Sequence, residues 1–209
     1  MEKGQRKTQG EITEYVNSGS QEWRAELCEG FGDDLEHKSE EVIRIGFQNV
    51  NGVKGRMDMA HEIFDVISDK ELDIFGVAET NMNWTDRRRQ EALAAVKLRF
   101  GQGKIVGSSG QSAKEGYLPG GTAIVARGRV TGRIVERGSD IMRRYTWIKM
   151  NGKNNKQVLI MSAYRVCKAG MNIGPHTAHM QQVKYLLKKG ITKPNPRQAI
   201  LRDMQAIIQ

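Results

Sequence analysis

Several things are scarce in this 209-residue chain. It has two cysteines, Cys28 and Cys167, too few for a disulfide framework or a cysteine-only zinc site. The expected compartment is therefore reducing and intracellular. Aromatic residues make up 6% of the chain and hydrophobic residues 38%. No apolar run approaches the roughly 18 residues that would cross a bilayer, so no membrane partner is expected. The opening segment, 1–16, has no apolar core, which argues against a secretory leader. Four histidines and four prolines complete the list of scarcities.

Positive charge is plentiful but unevenly placed. Residues 1–40 hold ten acids and five bases, a net of −5, whereas 41–209 hold 14 acids and 28 bases, a net of +14. The head is polar and shows no sustained apolar period, so 1–40 is expected to be a disordered acidic tail, with a short helix near Gln21 to Gly30. Residues 41–209 are expected to form the folded domain. Its basic balance suits an anionic partner.

From Glu41 the texture changes. Residues 42–47 read as a buried strand and 72–78 as a second. Between them Met57, Ala60, Ile63, Phe64 and Ile67 recur at helical spacing, so 54–70 reads as an amphipathic helix. Thr85 is a good cap for a helix over 86–99. A Gly- and Ser-rich stretch, 101–119, reads as a weak strand and loop. Strands are expected at 121–126, 129–136, 143–150 and 157–164, at the spacing of antiparallel neighbours. Two helices follow, over 176–189 and from Arg197 onward, separated by Pro194 and Pro196. This order of elements indicates an α/β sandwich with a mixed sheet.

The first strand–helix–strand unit has a chemical consequence. A crossover makes strands 42–48 and 73–78 parallel, so both end at one lip, where open α/β sheets bind ligands. Asn49 and Asn51 follow the first strand and Glu79 follows the second. Such a lone carboxylate with carboxamides suits one edge of a Mg²⁺ site, because magnesium takes few protein ligands and completes its shell with water and phosphate. Spacing alone is also served by a purely structural reading, in which the asparagines make the turn and Glu79 caps the next loop.

The wording of these segments adds to their spacing. Phe47-Gln48-Asn49-Val50-Asn51-Gly52 resembles the first motif of the endonuclease/exonuclease/phosphatase superfamily. Asp73-Ile74-Phe75-Gly76-Val77-Ala78-Glu79-Thr80 is similar to its second, a strand ending in a metal-binding glutamate. Gly120-Gly121-Thr122-Ala123-Ile124 is similar to its glycine-led strand, and Ser162-Ala163-Tyr164 falls where that family has a strand-terminal tyrosine. The order agrees over about 42–170. The closer likeness is to the amino-terminal part of the apurinic-type endonuclease domain of non-LTR retrotransposons.

That resemblance implies a four-layer α/β sandwich, here incomplete, and a DNA partner. It implies Mg²⁺ or Mn²⁺ as cofactor, with Glu79 and Asn51 on the metal. Asn49 and Tyr164 would be catalytic residues orienting the phosphate. Arg165 would supply charge where the family has an asparagine, and Arg87, Arg88, Arg143 and Arg144 would contact the nucleic acid backbone. Asn51 replaces the family's usual aspartate.

The family's Gly-Asp-Phe-Asn strand, which orients the attacking water, is missing, as is its late Asp-His pair. Water at neutral pH is a weak nucleophile without such groups. The expectation is thus a truncated, inactive or crippled DNA endonuclease domain of retroelement type, nuclear if so derived. Two alternatives stand beside it: a non-catalytic nucleic-acid-binding remnant, and a phosphoesterase acting on a small phosphoester or phosphoinositide. Mostly one sheet is expected, with an uncovered apolar face and self-association through it. Cys167, His176 and His179 lack a fourth ligand for zinc.

Overall fold

In a computed structural model of the chain, residues 35, 37–53, 58–82, 84, 86–108, 118–167, 174 and 176–208 are described. The expectations for 1–34, for residues 54–57 of the first helix and for the Thr85 cap lie outside them. Described residues from Ser39 onward belong to one compact unit.

The chain forms β1 (Ile45–Asn49), α1 (Asp58–Asp69), β2 (Ile74–Ala78), α2 (Asp86–Phe100), β3 (Gly103–Gly107) and β4 (Thr122–Arg127). A 3₁₀ turn at Gly128–Arg133 leads into β5 (Ile134–Ser139), β6 (Tyr145–Asn151) and β7 (Gln157–Ala163), then α3 (Ala178–Lys188) and α4 (Pro196–Ile208). Strands β1-β2-β4-β3 make one sheet and β5-β6-β7 another. The β1–β2 pair is parallel, with Asn49 opposite Ala78, and every other pair is antiparallel.

Period-2 alternation decides the layers. Phe75, Val77, Ala123 and Val125 point to one face of the first sheet. There they join Phe64, Ile67, Trp84 and Val96 from the helical side in one cluster. Their neighbours Ile74, Ile124 and Ala126 point the other way and meet Ile148, Met150 and Ile160 of the second sheet. Each fully buried aliphatic side chain contributes about 1.5–3 kcal/mol. The helical layer is secured by an edge-to-face Phe64–Phe100 pair, with centroids 5.7 Å apart, and by an Arg99–Asp65 ion pair at 3.1 Å. Among the described residues no helix is long and apolar enough to cross a membrane.

Two expectations are corrected. Residues 129–133 are a 3₁₀ turn, not a strand, and the strand begins at Ile134. Gly128 (φ +61°) turns the chain, and the Thr131 hydroxyl donates to Gly128 O (2.8 Å), tightening the turn. That turn is where the chain leaves one sheet for the other. So the strands do not mostly form one sheet with an uncovered face: the second sheet covers it. Strand spacing records that neighbours are antiparallel, but not that a turn between them changes layer.

Candidate active site

The parallel β1–β2 pair delivers Asn49, Asn51 and Glu79 to one lip, and the backbone continues the pairing beyond the strands. Val50 N donates to Ala78 O (3.0 Å), Gly52 N to Glu79 O (2.6 Å) and Val53 N to Thr80 O (2.8 Å). Asn49 Oδ1 accepts from Asn51 N at 3.0 Å. This closes an Asx turn, which an asparagine forms readily. Asn49 and Asn51 are exposed and Glu79 is half-buried.

Three non-glycine residues here adopt left-handed backbone: Asn51 (φ +45°), Glu79 (φ +56°) and Asn81 (φ +50°). Asparagine tolerates that region, whereas a glutamate there is strained by about 1–2 kcal/mol. Such strain gathers at functional sites, where the surroundings hold it in place.

Gly120-Gly121 forms the third wall. Thr80 N donates to Gly121 O (3.1 Å), Asn81 N to Gly120 O (2.7 Å), and Gly120 N to Asn81 Oδ1 (2.7 Å). Gly121 has φ +89°, and a Cβ there would lie 2.7 Å from Thr80 Oγ1. Only glycine admits both the conformation and the approach. Tyr164 completes the lip: its ring lies 3.5 Å from where a Gly120 Cβ would stand, beside Ala178 at the start of α3. Its backbone N–H donates to Arg144 O at 2.6 Å. The sequence does not single out Asn81, whose polar character in a run following a strand reads only as turn chemistry.

The remaining expected site residues separate into two groups. Arg87, Arg88 and Arg89 are exposed in the first turns of α2, with Arg87 paired to Glu91 at 2.8 Å. Arg165 is exposed next to Tyr164. Arg143 and Arg144, expected on a nucleic-acid-facing surface, are instead buried, at 4% and 1% exposure.

For Arg144 the cause is Asp140 in the β5–β6 turn. Its carboxylate accepts from Met142 N, Arg144 N, Arg144 Nε (2.7 Å) and Arg144 Nη2 (2.9 Å). Arg144 Nη2 also donates to Asp203 Oδ2 of α4 at 2.6 Å. Burial works against the Arg144 charge, but the Asp140 and Asp203 bonds and charges outweigh it and raise its pKa. Burial lowers that of Arg143. Trp84 packs at 5% exposure, its indole N–H 3.4 Å from Thr80 Oγ1. Among the described residues no three His, Cys, Asp or Glu side chains gather as a metal cluster.

No family model matches the chain, and no curated protein does. Solved structures that it resembles in part include the AP endonuclease LMAP from Leishmania major, at 17% identity over 68% of this chain and 44% of that one, TM-score 0.44. An endonuclease/exonuclease/phosphatase family protein from Leptotrichia buccalis is similar at 15% identity over 74% and 64% of the two chains, TM-score 0.42. A Neisseria 3′ phosphatase bound to a product DNA hairpin is similar at 21% identity over 60% and 42%, TM-score 0.39. The chain spans 42–64% of the length of these proteins.

Proposed function

We propose that the lip is the metal-and-phosphate edge of a DNA phosphodiesterase site of the endonuclease/exonuclease/phosphatase type, from a retroelement-type endonuclease. The observation that supports this is backbone pairing that sets the Asn49–Gly52 turn beside Ala78–Thr80, and Thr80 and Asn81 beside Gly120-Gly121, against which the Tyr164 ring lies. The donor set fits a hard divalent cation, since carboxylate and carboxamide oxygens suit Mg²⁺ or Mn²⁺. Glu79 and Asn51 would hold it. When bound, the ion neutralises phosphate charge and lowers the pKa of a bound water.

The chain's own groups position the substrate. Asn49 spends its oxygen on the turn, which leaves its Nδ2 as the donor end for a phosphate oxygen. Tyr164 O–H offers a second donor, and Arg165 beside it supplies charge. Arg87 and Arg88 extend the phosphate track, each contact adding to the salt dependence of binding. Among the described residues of the lip none stands in for the aspartate or the Asp-His pair that would orient and activate water. Slow or no turnover by these residues alone, with Mg²⁺-dependent DNA binding, is the expected behaviour.

Supercoiled plasmid incubated with the chain and Mg²⁺ should stay closed. EDTA-sensitive nicking that Glu79→Gln abolishes would overturn the loss of turnover.

A second reading rests on the +14 net charge of 41–209: a non-catalytic nucleic-acid-binding remnant. Its binding would weaken steeply with salt but would be indifferent to Glu79→Gln.

A further inference from the structure

The interior between the two sheets changes character along the strands. Away from the lip it is aliphatic, with Ile74, Ile124 and Ala126 of the first sheet against Ile148, Met150 and Ile160 of the second. At the lip end the next inward-facing residue of three strands carries a hydroxyl: Thr122 of β4, Thr146 of β6 and Ser162 of β7. Each stands two residues from Ile124, Ile148 or Ile160, and so on the same face. None is more than 3% exposed. Thr122 pairs with Ala78 across β2 and β4, and Thr146 with Ser162 across β6 and β7.

These hydroxyls bond across the gap between the sheets. Thr122 Oγ1 and Thr146 Oγ1 are 2.7 Å apart, and the Thr146 hydroxyl also reaches Thr122 O at 3.1 Å. Ser162 Oγ donates to Val77 O at 3.0 Å. Ser108, just beyond β3, backs the first pair: its Oγ accepts from Thr122 N at 2.8 Å and stands 3.1 Å from Thr122 Oγ1. One assignment of protons satisfies every hydroxyl of this group. Ser108 donates to Thr122 Oγ1, Thr122 to Thr146 Oγ1, and Thr146 to Thr122 O.

Aliphatic contacts are non-directional, so they hold two sheets together without fixing their register. A fully satisfied hydrogen-bond network does fix it. The network lies directly under the lip. Gly120 is two residues before Thr122, and Tyr164 two after Ser162. Arg144, whose carbonyl accepts from Tyr164 N, is two before Thr146. Glu79 follows Ala78, the strand partner of Thr122. The lip takes Glu79 and the asparagines from the first sheet and Tyr164 from the second, so its geometry depends on how the sheets are held at this level.

We propose that Thr122, Thr146 and Ser162 are positioning residues that hold the Tyr164 side of the lip in register with the Glu79 side. The use of that register for phosphate and metal rests on the function proposed above; the register itself does not.

Amide exchange on the full chain, read by NMR, tests the register. Thr146→Val keeps the shape and removes the hydroxyl. Exchange at Thr80, Asn81 and Tyr164, whose N–H groups bond around the lip, should speed up about fivefold, the effect of one hydrogen bond. Ile124 and Ile148 should exchange as before. Ser162→Ala should act likewise at Tyr164, and Thr146→Ser, which restores the hydroxyl, should return the wild-type rates. Ile148→Val, one pleat deeper, removes packing but no hydrogen bond and should leave the three lip amides unchanged. In a DNA titration Thr146→Val should cut the Mg²⁺-dependent gain in affinity about fivefold and keep the metal-free affinity, with Thr146→Ser again restoring it. Wild-type lip exchange in both Thr146→Val and Ser162→Ala would overturn the proposal, and so would an equal response to Ile148→Val. Faster lip exchange with the Mg²⁺ gain intact would overturn the positioning role. A wild type with no Mg²⁺ gain would instead overturn the function proposed above, and the exchange rates would still decide the register.

Discussion

Glu79 holds left-handed backbone at φ +56°, which glycine would hold without strain. Its side chain is a metal ligand in our proposal, so stability and binding should respond to substitution in opposite directions. Relieving the strain returns about 1–2 kcal/mol. Glycine's greater freedom in the unfolded chain takes back about 0.5–1 kcal/mol. The backbone carbonyl that accepts from Gly52 N is kept by any substitution.

Glu79→Gly should therefore stabilise the protein by about 0.5–1 kcal/mol, raising Tm by about 1–4 °C for a domain of this size. Glu79→Gln keeps the strain and should leave Tm nearly unchanged. Both should abolish the part of DNA affinity that depends on Mg²⁺. Thermal unfolding by circular dichroism, paired with a DNA-binding titration, reads both quantities. If Glu79→Gly lowers Tm by several degrees, the side chain is a structural cap and the reasoning from strain to function fails.

Other substitutions separate the buried Arg144 from the exposed Arg165. Arg144→Ala leaves the Asp140 and Asp203 carboxylates without their shared partner, and should cost about 3–5 kcal/mol in urea unfolding, loosening α4. Arg165→Ala should leave stability within about 0.5 kcal/mol. The same change should reduce the slope of log K against log salt by about 1. Gly121→Ala meets both a positive φ and the Thr80 hydroxyl; a loss of about 1–3 kcal/mol is expected, and unchanged thermal stability would show that the glycine wall is not closely packed.

The parts of the fold that were legible in the sequence are those with a local signature. β1, α1 and β2 follow from β-branched runs and a 3.6-residue apolar period, and the parallel pairing that brings Asn49 and Glu79 together follows from the crossover between them. The sheet change at Gly128–Arg133 was not legible, because Arg129-Val130-Thr131 alternates like a strand and only the glycine backbone angle and a hydroxyl bond make it a 3₁₀ turn. The fate of Arg143 and Arg144 was hidden for a different reason. An arginine pair reads as surface charge, and the Asp203 that buries Arg144 lies 59 residues away. Asn81 was hidden because its role depends on a backbone partner, Gly120, brought in by another strand.

The claim that Glu79 anchors a metal-dependent DNA site is tested most directly by fluorescence anisotropy of a DNA duplex at constant ionic strength, with and without Mg²⁺. Wild-type affinity should rise at least about tenfold, or 1.4 kcal/mol, when Mg²⁺ is present, and Glu79→Gln should remove that gain while keeping the metal-free affinity. Equal Mg²⁺ responses in wild type and Glu79→Gln would contradict the claim and leave only charge-driven binding.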